Sequence, residues 1–327
     1  MKKFLATLAG ALFIALSFVG LTSCKNEKDG KISLYAPDGA PALSIARLIA
    51  ENTDLGREMS YNIVGSEEIT SCVTYEDNSK NADLCILPVN AASKLLGNGT
   101  RYKMLGTVTH GNLFIVASKD KEDITSENFA SALSGKKVGV INLPAFPGAV
   151  FKLLLTNHNI SDKVTLEAVN AGQVNGTQTD YDYFVIPEPA ASVKVGNPNL
   201  NLKVVGSLQT LYGEKGYPQA VLVAKNSLIE SEPQFISNFM KAMDDNAKWL
   251  LNESVEASTI LSAVSSLYPS TSFNAQNLTK PVIANCAVRF AASSDCKSDV
   301  IKILSELKGA GDGAATAVSD DFFYIPQ

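Results

Sequence analysis

The residues of this sequence that could do chemistry are loop residues that follow predicted strands. They are small residues, amides, rings and isolated acids, which suit holding a small molecule by hydrogen bonds and flat apolar contacts. Gly39 and Gly148 would let the backbone approach a ligand closely. One group of candidate contacts is Asp38, Gly39, Ala40, Pro41, Ser66, Pro88, Val89, Asn90, His110 and Asn112. A second group is Pro144, Phe146, Pro147, Gly148, Glu188, Tyr217 and Gln219.

A purely structural role is the alternative at each of these positions. Gly39 would then only close a turn, Asn90 would cap the helix that follows it, and Phe146 would belong to the core. His110 lies in a predicted connection between two strands. For this side chain we favour a ligand contact over a hydrogen bond to local backbone.

Catalytic templates are missing from the sequence. It contains no G-x-S-x-G, no H-E-x-x-H, no Walker loop and no G-x-G-x-x-G after a strand. With only two histidines and scattered carboxylates, the sequence offers few residues from which a catalytic triad or a metal site could be built. The candidate residues therefore indicate binding without catalysis, and no cofactor is expected.

Two pairs of similar segments must position these residues. Lys31–Arg47, KISLYAPDGAPALSIAR, aligns without a gap on Lys137–Leu153, KVGVINLPAFPGAVFKL. Asp83–Ser93, DLCILPVNAAS, is closer still to Asp182–Ser192, DYFVIPEPAAS. Each segment reads as a strand, a loop and a helix, and each half of the chain holds one early and one late unit. Ligands of such α/β sheets bind beyond the carboxyl ends of the strands, so two facing lobes would form a cleft.

The chain is predicted to cross twice between the lobes. A strand at Leu113–Ala117 leaves the first lobe, and a strand at Ala220–Ala224 returns to it. The first lobe then comprises residues 31–116 and 221–327, and the second comprises 117–220. Among the helices expected in the first lobe are Ala42–Asn52 and Thr279–Phe290.

The N-terminus has the pattern of an export signal. Lys2 and Lys3 precede an apolar run, Phe4–Val19, that is shorter than the roughly 20 residues of a membrane span. The run closes on Leu21-Thr22-Ser23-Cys24, which resembles a bacterial lipobox. That resemblance predicts a signal peptide over residues 1–23 and lipidation of Cys24. Residues 24–30 would be a lipid-anchored tether. The alternative is an ordinary signal peptide followed by a chance cysteine.

Charge and cysteine content restrict the partners further. With 33 acidic and 28 basic side chains, the chain has no basic stripe for nucleic acid. Four cysteines besides Cys24 allow three pairings in an oxidising compartment. We favour the pairs that are near in sequence, and free buried thiols are the alternative. The favoured pairs are Cys72 with Cys85 and Cys286 with Cys296.

Several motifs in order resemble one family of proteins. They are the lipobox, APDGAPAL, LSGKKVGV, IPEPAAS, SEPQFISNFMKAM and the C-terminal DFFY. Together the chain resembles extracytoplasmic substrate-binding proteins of ABC importers, in the group that serves sulfonates, nitrate, taurine and thiamine-pyrimidine precursors. The resemblance implies an α/β, two-lobed type II periplasmic binding protein fold. Each lobe would hold a mixed, mostly parallel sheet flanked by helices, and two crossover strands would join the lobes.

The same resemblance implies the mode of action. The lobes would close on one solute and deliver it to an ABC permease and its ATPase, without a chemical reaction. The protein would be a monomer held to the outer face of the cell membrane, or in the periplasm, by the lipid on Cys24. An enzyme remains the alternative, because chorismate dehydratase-like enzymes of menaquinone synthesis share the fold. Those enzymes are expected in the cytoplasm, so the export signal argues against this alternative.

The solute is predicted from the charges of the candidate loops. These loops carry Asp38 and Glu188 and no lysine or arginine. If both acids line the cleft, they disfavour a small bare oxyanion, although an acid at a helix N-terminus is often only a dipole partner. We therefore favour a neutral or amine-bearing small organic solute, such as a pyrimidine-like heterocycle. An organosulfonate or oxyanion is the alternative.

Overall fold

The computed structural model describes residues 30–177 and 179–326. The predicted signal peptide and the predicted lipidation site at Cys24 lie outside these ranges. The strands are β1 (Ile32–Pro37), β2 (Met59–Val64), β3 (Leu84–Pro88), β4 (Tyr102–Thr109), β5 (Leu113–Ser118), β6 (Lys137–Ile141), β7 (Thr165–Val169), β8 (Tyr183–Pro187), β9 (Leu202–Ser207), β10 (Ala220–Lys225) and β11 (Val288–Ala292). In the ranges described, no helix combines the length and apolarity that a membrane span requires.

The helices cover the faces of these strands. They are α1 (Ala40–Leu43), α2 (Ala46–Ala50), α3 (Val89–Leu96), α4 (Phe129–Leu133), α5 (Phe146–Asn157), α6 (Ala190–Gly196), α7 (Leu208–Tyr212), α8 (Asn226–Ser231), α9 (Pro233–Leu251), α10 (Ala257–Leu267), α11 (Lys280–Asn285) and α12 (Ser293–Gly309). The longest, α9, starts at Pro233, where the missing N–H costs no helical hydrogen bond.

The strands form two mixed sheets. The first has the order β11-β4-β10-β3-β1-β2, and the second has the order β7-β6-β8-β5-β9. In the first sheet β1 pairs in parallel with β2 and β3, while β10 runs antiparallel to both β3 and β4. In the second, β6 pairs in parallel with β7 and β8, while β5 runs antiparallel to β8 and β9. This arrangement confirms the predicted α/β class with two sheets flanked by helices.

The carboxyl edges of the two sheets face each other. The chain passes from β4 to β5 through residues 110–112 alone, a connection that spans only about 11 Å. Because Leu113 pairs with Pro187, β5 begins at the edge where β8 ends. The second connection runs from the end of β9 to Ala220, which pairs with Pro88 at the end of β3. Both connections therefore join one carboxyl edge to the other.

The repeated aspartate has the same structural task in each sheet. The Asp83 carboxylate accepts hydrogen bonds from the backbone N–H of Ser33 at 3.0 Å and from its hydroxyl at 2.8 Å. It also pairs with the buried ammonium of Lys225 at 3.0 Å. Asp182 accepts from the backbone N–H of Lys137 at 3.0 Å. Each aspartate thus ties the start of the late strand to the start of the early strand and fixes their relative position.

One hydrophobic core is shared by both sheets. It includes Leu87 on β3, Val185 on β8, Phe151 on α5 and Leu304 on α12. Helix α12 packs against β4 and α3 on the first sheet and against α5 on the second. The opposite face of the first sheet is covered by α1, α2, α9, α10 and α11, with Phe239 buried there. The lobes are therefore in close contact on the side of α12.

Two predicted helices are wrong in extent. The helix expected at Ala42–Asn52 is interrupted between α1 and α2, where the Ser44 hydroxyl donates to the carbonyl of Pro41 at 2.6 Å. The helix expected at Thr279–Phe290 ends at Asn285, and the chain turns at Ala287, whose φ of 47° is left-handed. The residues after it form β11, which pairs antiparallel with β4.

The predicted disulfides are also wrong. Cys85, Cys286 and Cys296 are buried free thiols, so neither favoured pair forms. The Cys85 thiol lies 3.9 Å from the carbonyl oxygen of Ile86. Cys286 and Cys296 are near in sequence, but they pack into the cores on opposite faces of the first sheet. Nearness in sequence does not bring their sulfur atoms together, because β11 lies between them.

Candidate functional site

The predicted contact residues lie along the two facing carboxyl edges. On the first sheet, Asp38 and Gly39 follow β1, with Ala40 and Pro41 in α1, and Ser66 follows β2. Pro88 ends β3, and Val89 and Asn90 begin α3. His110 follows β4, and Tyr217 and Gln219 precede β10. On the second sheet they precede β5 (Asn112), follow β6 (Pro144, and Phe146, Pro147 and Gly148 in α5) and follow β8 (Glu188). Topology therefore collects them in the region between the sheets.

Five of the residues there form what we name the crossover cluster: Thr109, His110, Asn112, Tyr217 and Gln219. The Gln219 side-chain amide donates to Asn112 Oδ1 at 2.9 Å, and its backbone N–H donates to the carbonyl of Thr109 at 3.0 Å. The backbone N–H of Tyr217 donates to the carbonyl of His110 at 3.4 Å. The two connections between the lobes are thus bonded to each other through this cluster.

The crossover cluster contains buried polar atoms that have no hydrogen-bond partner. They are Thr109 Oγ1, His110 Nδ1, Tyr217 OH and Gln219 Oε1. Outside the cluster, the described residues leave Thr53 Oγ1 and Asn226 Oδ1 in the same condition. Each such atom costs about 1–3 kcal/mol in desolvation, so their concentration in one place calls for a functional explanation.

The unpartnered groups are uncharged. His110 is 6 % exposed, and burial, reinforced by the positive charge of Arg289, lowers the pKa of its imidazole from 6.5 to about 3. Its Nε2 lies 3.0 Å from the hydroxyl of Thr107. Burial raises the pKa of Tyr217, so its phenol keeps its proton. Near neutral pH the cluster therefore offers hydroxyls, an amide oxygen and a neutral imidazole.

Aromatic rings adjoin the cluster. The ring of Phe146, in the first turn of α5, lies 6.1 Å from the ring of Tyr217 at 44°. Tyr212 also contacts Tyr217 edge-on, with 5.7 Å between ring centroids. Its hydroxyl donates to Glu306 on α12 at 2.7 Å. These rings provide flat apolar surface where the two lobes meet.

The Glu188 carboxylate is buried and already bonded. It accepts from the Ser192 backbone N–H at 3.0 Å and hydroxyl at 2.8 Å, which caps the start of α6. It also accepts from the side-chain amide of Asn285, at the end of α11, at 2.9 Å. Its own backbone N–H donates to the carbonyl of Asn112 at 3.0 Å. Glu188 therefore links the second sheet to a helix of the first.

Other predicted contacts are engaged with distant parts of the chain. Asp38 accepts from the Thr271 hydroxyl at 2.5 Å and from the backbone N–H of Ser272 at 2.8 Å. The Asn90 amide donates to Asp312 at 2.8 Å and so holds the C-terminal segment against α3. Ser66 and Pro144 are exposed. The polar atoms of Asp38 and Asn90 have protein partners, in contrast to those of the crossover cluster.

Two adjoining cavities, each of about 300 Å³, meet at His110. Both are lined by residues 213–216 and by Arg289. Thr109, Tyr212 and Arg289 were not predicted from the sequence. Arg289 was missed because Thr279–Phe290 was predicted as one helix, whereas the residue lies on edge strand β11. Thr109 could have been identified as a hydroxyl at the end of a predicted strand. Tyr212 could have been identified as an aromatic ring in the loop that follows a predicted strand.

Comparison with known proteins gives a family and a fold. The NMT1/THI5-like family model matches residues 73–257, more than half of the chain. No curated protein sequence matches this chain. The crystal structure of an ABC transporter from Parabacteroides distasonis is similar, with a TM-score of 0.72 and 17 % identity. The match covers 91 % of this chain and 100 % of that one.

Two further solved structures are similar over most of their length. The periplasmic aliphatic sulphonate binding protein SsuA from Escherichia coli has a TM-score of 0.66 and 11 % identity, covering 91 % of this chain and 93 % of its own. The periplasmic nitrate-binding protein NrtA from Synechocystis PCC 6803 has a TM-score of 0.62 and 10 % identity, covering 90 % and 84 %. These likenesses confirm the predicted two-lobed periplasmic binding protein fold.

Proposed function

The chain belongs to the NMT1/THI5-like family, and we propose that it is an extracytoplasmic solute-binding protein of an ABC importer. It closes its lobes on one small organic solute and delivers that solute to a membrane permease and its ATPase. The facing sheet edges and the two connections support hinged closure. The lobes are residues 31–116 with 221–327, and residues 117–220. The importer proteins of similar fold support the transport role over an enzymatic one.

The observation that carries this proposal is the set of unpartnered polar atoms in the crossover cluster. A solute held between the lobes would supply the hydrogen bonds that Thr109, His110, Tyr217 and Gln219 lack. Because all four groups are neutral, they match a neutral solute with both donors and acceptors, such as a pyrimidine-like heterocycle. The rings of Phe146 and Tyr217 would contact its flat faces.

An amine-bearing solute has less support than a neutral one. The carboxylate of Asp38 is occupied by Thr271 and Ser272. The carboxylate of Glu188 is occupied by Ser192 and Asn285. An ammonium group would have to displace these donors to pair with either acid, at the cost of the hydrogen bonds they make.

The lipid anchor on Cys24 is part of the proposal and rests on the sequence. The lipobox Leu21-Thr22-Ser23-Cys24 follows an apolar run of signal-peptide length. Mass spectrometry of the mature N-terminus should find Cys24 with attached acyl chains. Cys24→Ser should release the protein from the membrane fraction, and a variant that stays with the membranes would contradict the anchor.

A thermal-shift screen followed by calorimetry tests the solute proposal. The purified protein is screened against pyrimidines, sulfonates, amino acids and oxyanions, because a bound solute raises the unfolding temperature. For the best hit, Tyr217→Phe should weaken binding about ten- to a hundredfold, since it removes one hydrogen bond from a buried contact. Tyr61→Phe on β2, at the far edge of the same sheet, is the matched control and should not change affinity.

Three outcomes would count against the proposal. Equal affinity of Tyr217→Phe and the unaltered protein would remove the crossover cluster from the site. A clear preference for sulfonates or oxyanions would favour the organosulfonate alternative. Conversion of the bound compound, followed by NMR of the mixture over time, would favour the enzyme alternative.

A further inference from the structure

The first of the two cavities at His110 lies between the first lobe and the connection from β9 to β10. We name it the outer cavity; it has a volume of about 300 Å³. One wall is apolar and comes from the first lobe: Leu250 at the end of α9, with Ile283 and Ala284 on α11. The opposite wall is the connection between β9 and β10, including Gln209 and residues 213–216. A size of this order suits a small organic ligand.

The polar groups of the outer cavity favour an anion. Arg289 lines it, and its Nη2 donates a hydrogen bond to the carbonyl of Lys215 at 3.3 Å. Lys215 and Glu214 also line the cavity, so two cations face one carboxylate. Arg289 makes no salt bridge among the ion pairs of the described residues. A ligand carboxylate would give it the charged partner that suits its fork of donors.

His110 supplies the second, independent observation. His110 is among the residues that line the outer cavity, is 6 % exposed, and has an Nδ1 atom without a partner. Nε2 lies 3.0 Å from the Thr107 hydroxyl, and in the tautomer in which that hydroxyl donates to Nε2 the neutral ring carries its proton on Nδ1. That N–H can donate to a carboxylate oxygen. The glycine at Gly216 is required here, because a Cβ would collide with the carbonyl oxygen of His110.

We propose that the outer cavity binds a small carboxylate with an apolar body. The carboxylate would bond to Arg289 and to His110 Nδ1, and the body would lie against Leu250 and Ile283. Such a ligand contacts elements of the first lobe and the connection to the second at once. This site shares His110 Nδ1 with the solute site proposed above, but it uses Arg289 in place of the hydroxyl of Tyr217 and the amide of Gln219.

Isothermal titration of the full-length protein with hexanoate, hexanamide and hexylammonium tests this proposal. Hexanoate should bind about tenfold or more tightly than hexanamide, because only the anion gains charge-assisted hydrogen bonds. Hexylammonium should bind most weakly. Arg289→Gln should lower hexanoate affinity about tenfold and remove its advantage over hexanamide. Arg289 is exposed on an edge strand, so the variant should fold.

Matched variants separate this site from other effects. Arg101→Gln changes an exposed arginine at the opposite end of β4 and should leave hexanoate affinity unchanged. Tyr217→Phe should also leave it unchanged, even where it weakens binding of the transported solute. Equal binding of hexanoate and hexanamide, no binding of either, or an equal loss in Arg101→Gln and Arg289→Gln would each overturn the proposal.

Discussion

Burial of His110 as a neutral side chain should make this protein less stable in mild acid. The imidazole is 6 % exposed, and burial together with the charge of Arg289 lowers its pKa from 6.5 to about 3. The unfolded chain takes up a proton on this residue as the pH falls through 6.5, whereas the folded chain does so only near 3. Between these values the unfolded state binds more protons, so the free energy of unfolding falls as the pH falls.

The size of the effect follows from the same values. Each pH unit below the ordinary pKa removes about 1.4 kcal/mol of stability until the folded-state pKa is reached. Between pH 7 and pH 4.5 the loss through His110 should be about 2–3 kcal/mol. Other charged groups around it are Arg289, Glu214 and Lys215, with Asp299 and Lys302 on α12. Their own titration is common to the unaltered protein and to a variant at this position.

A comparison of His110→Asn with the unaltered protein isolates the effect. Urea unfolding is followed by the fluorescence of Trp249, the single tryptophan, at several pH values from 7 to 4.5. The stability difference between the two proteins should shift by about 2–3 kcal/mol in favour of the variant as the pH falls. His158→Asn, at the end of α5, is the matched control that retains the buried histidine.

A constant difference between His110→Asn and the unaltered protein over this range would refute the reasoning. The imidazole would then be protonated in the folded state, and the crossover cluster would not be neutral. NMR titration of the His110 ring protons gives an independent result. A midpoint near 6.5 would contradict the assigned burial effect, and no midpoint above pH 4.5 would agree with it.

The remaining predictions concern stability and the thiols. Asp83→Asn should lower the free energy of unfolding, measured with urea, by about 3 kcal/mol, because it leaves the buried Lys225 ammonium without its charged partner. At the equivalent repeat position, Asp182→Asn should cost less than about 1 kcal/mol, since its lysine partners reach solvent; equal losses would contradict this. Tyr217→Phe without ligand should keep or raise stability by about 1 kcal/mol, because the lost hydroxyl has no partner, and a clear loss would reveal one. Iodoacetamide added to unfolded, unreduced protein should label Cys85, Cys286 and Cys296, because all three are free thiols. Mass spectrometry reads the labels, and a missing label at any of the three would indicate a disulfide and contradict the prediction.

The two-sheet architecture was predictable because its signals are local. A strand, a turn and the start of a helix occupy a short stretch of sequence. Each half of the chain contains two such strand-loop-helix units, one early and one late. Parallel strands end at the same edge, so strand ends alone locate Asp38, His110 and Glu188 at the sheet edges. The repeated aspartates, Asp83 and Asp182, have a shared role that becomes clear only from their bonds to the neighbouring strand.

The edge strand β11 shows where local patterns were insufficient. Its sequence continues an apolar helical pattern, yet Val288 pairs with Thr109, far away in the chain. Only the open edge of β4 makes an extended conformation favourable there, since it offers unpaired backbone groups. For the same reason the sequence did not predict that Arg289 lies beside His110.

The sequence by itself determined which residues lie at the sheet edges and that the chain crosses twice between two sheets. Tertiary structure alone decided which of those residues have free hydrogen-bonding atoms. Thr271 reaches Asp38 and Asp312 reaches Asn90 from more than 200 positions away, whereas the hydroxyl of Tyr217 meets no partner. Hydrogen bonding depends on separations in space, and these are set by packing of the whole chain and not by neighbours in sequence.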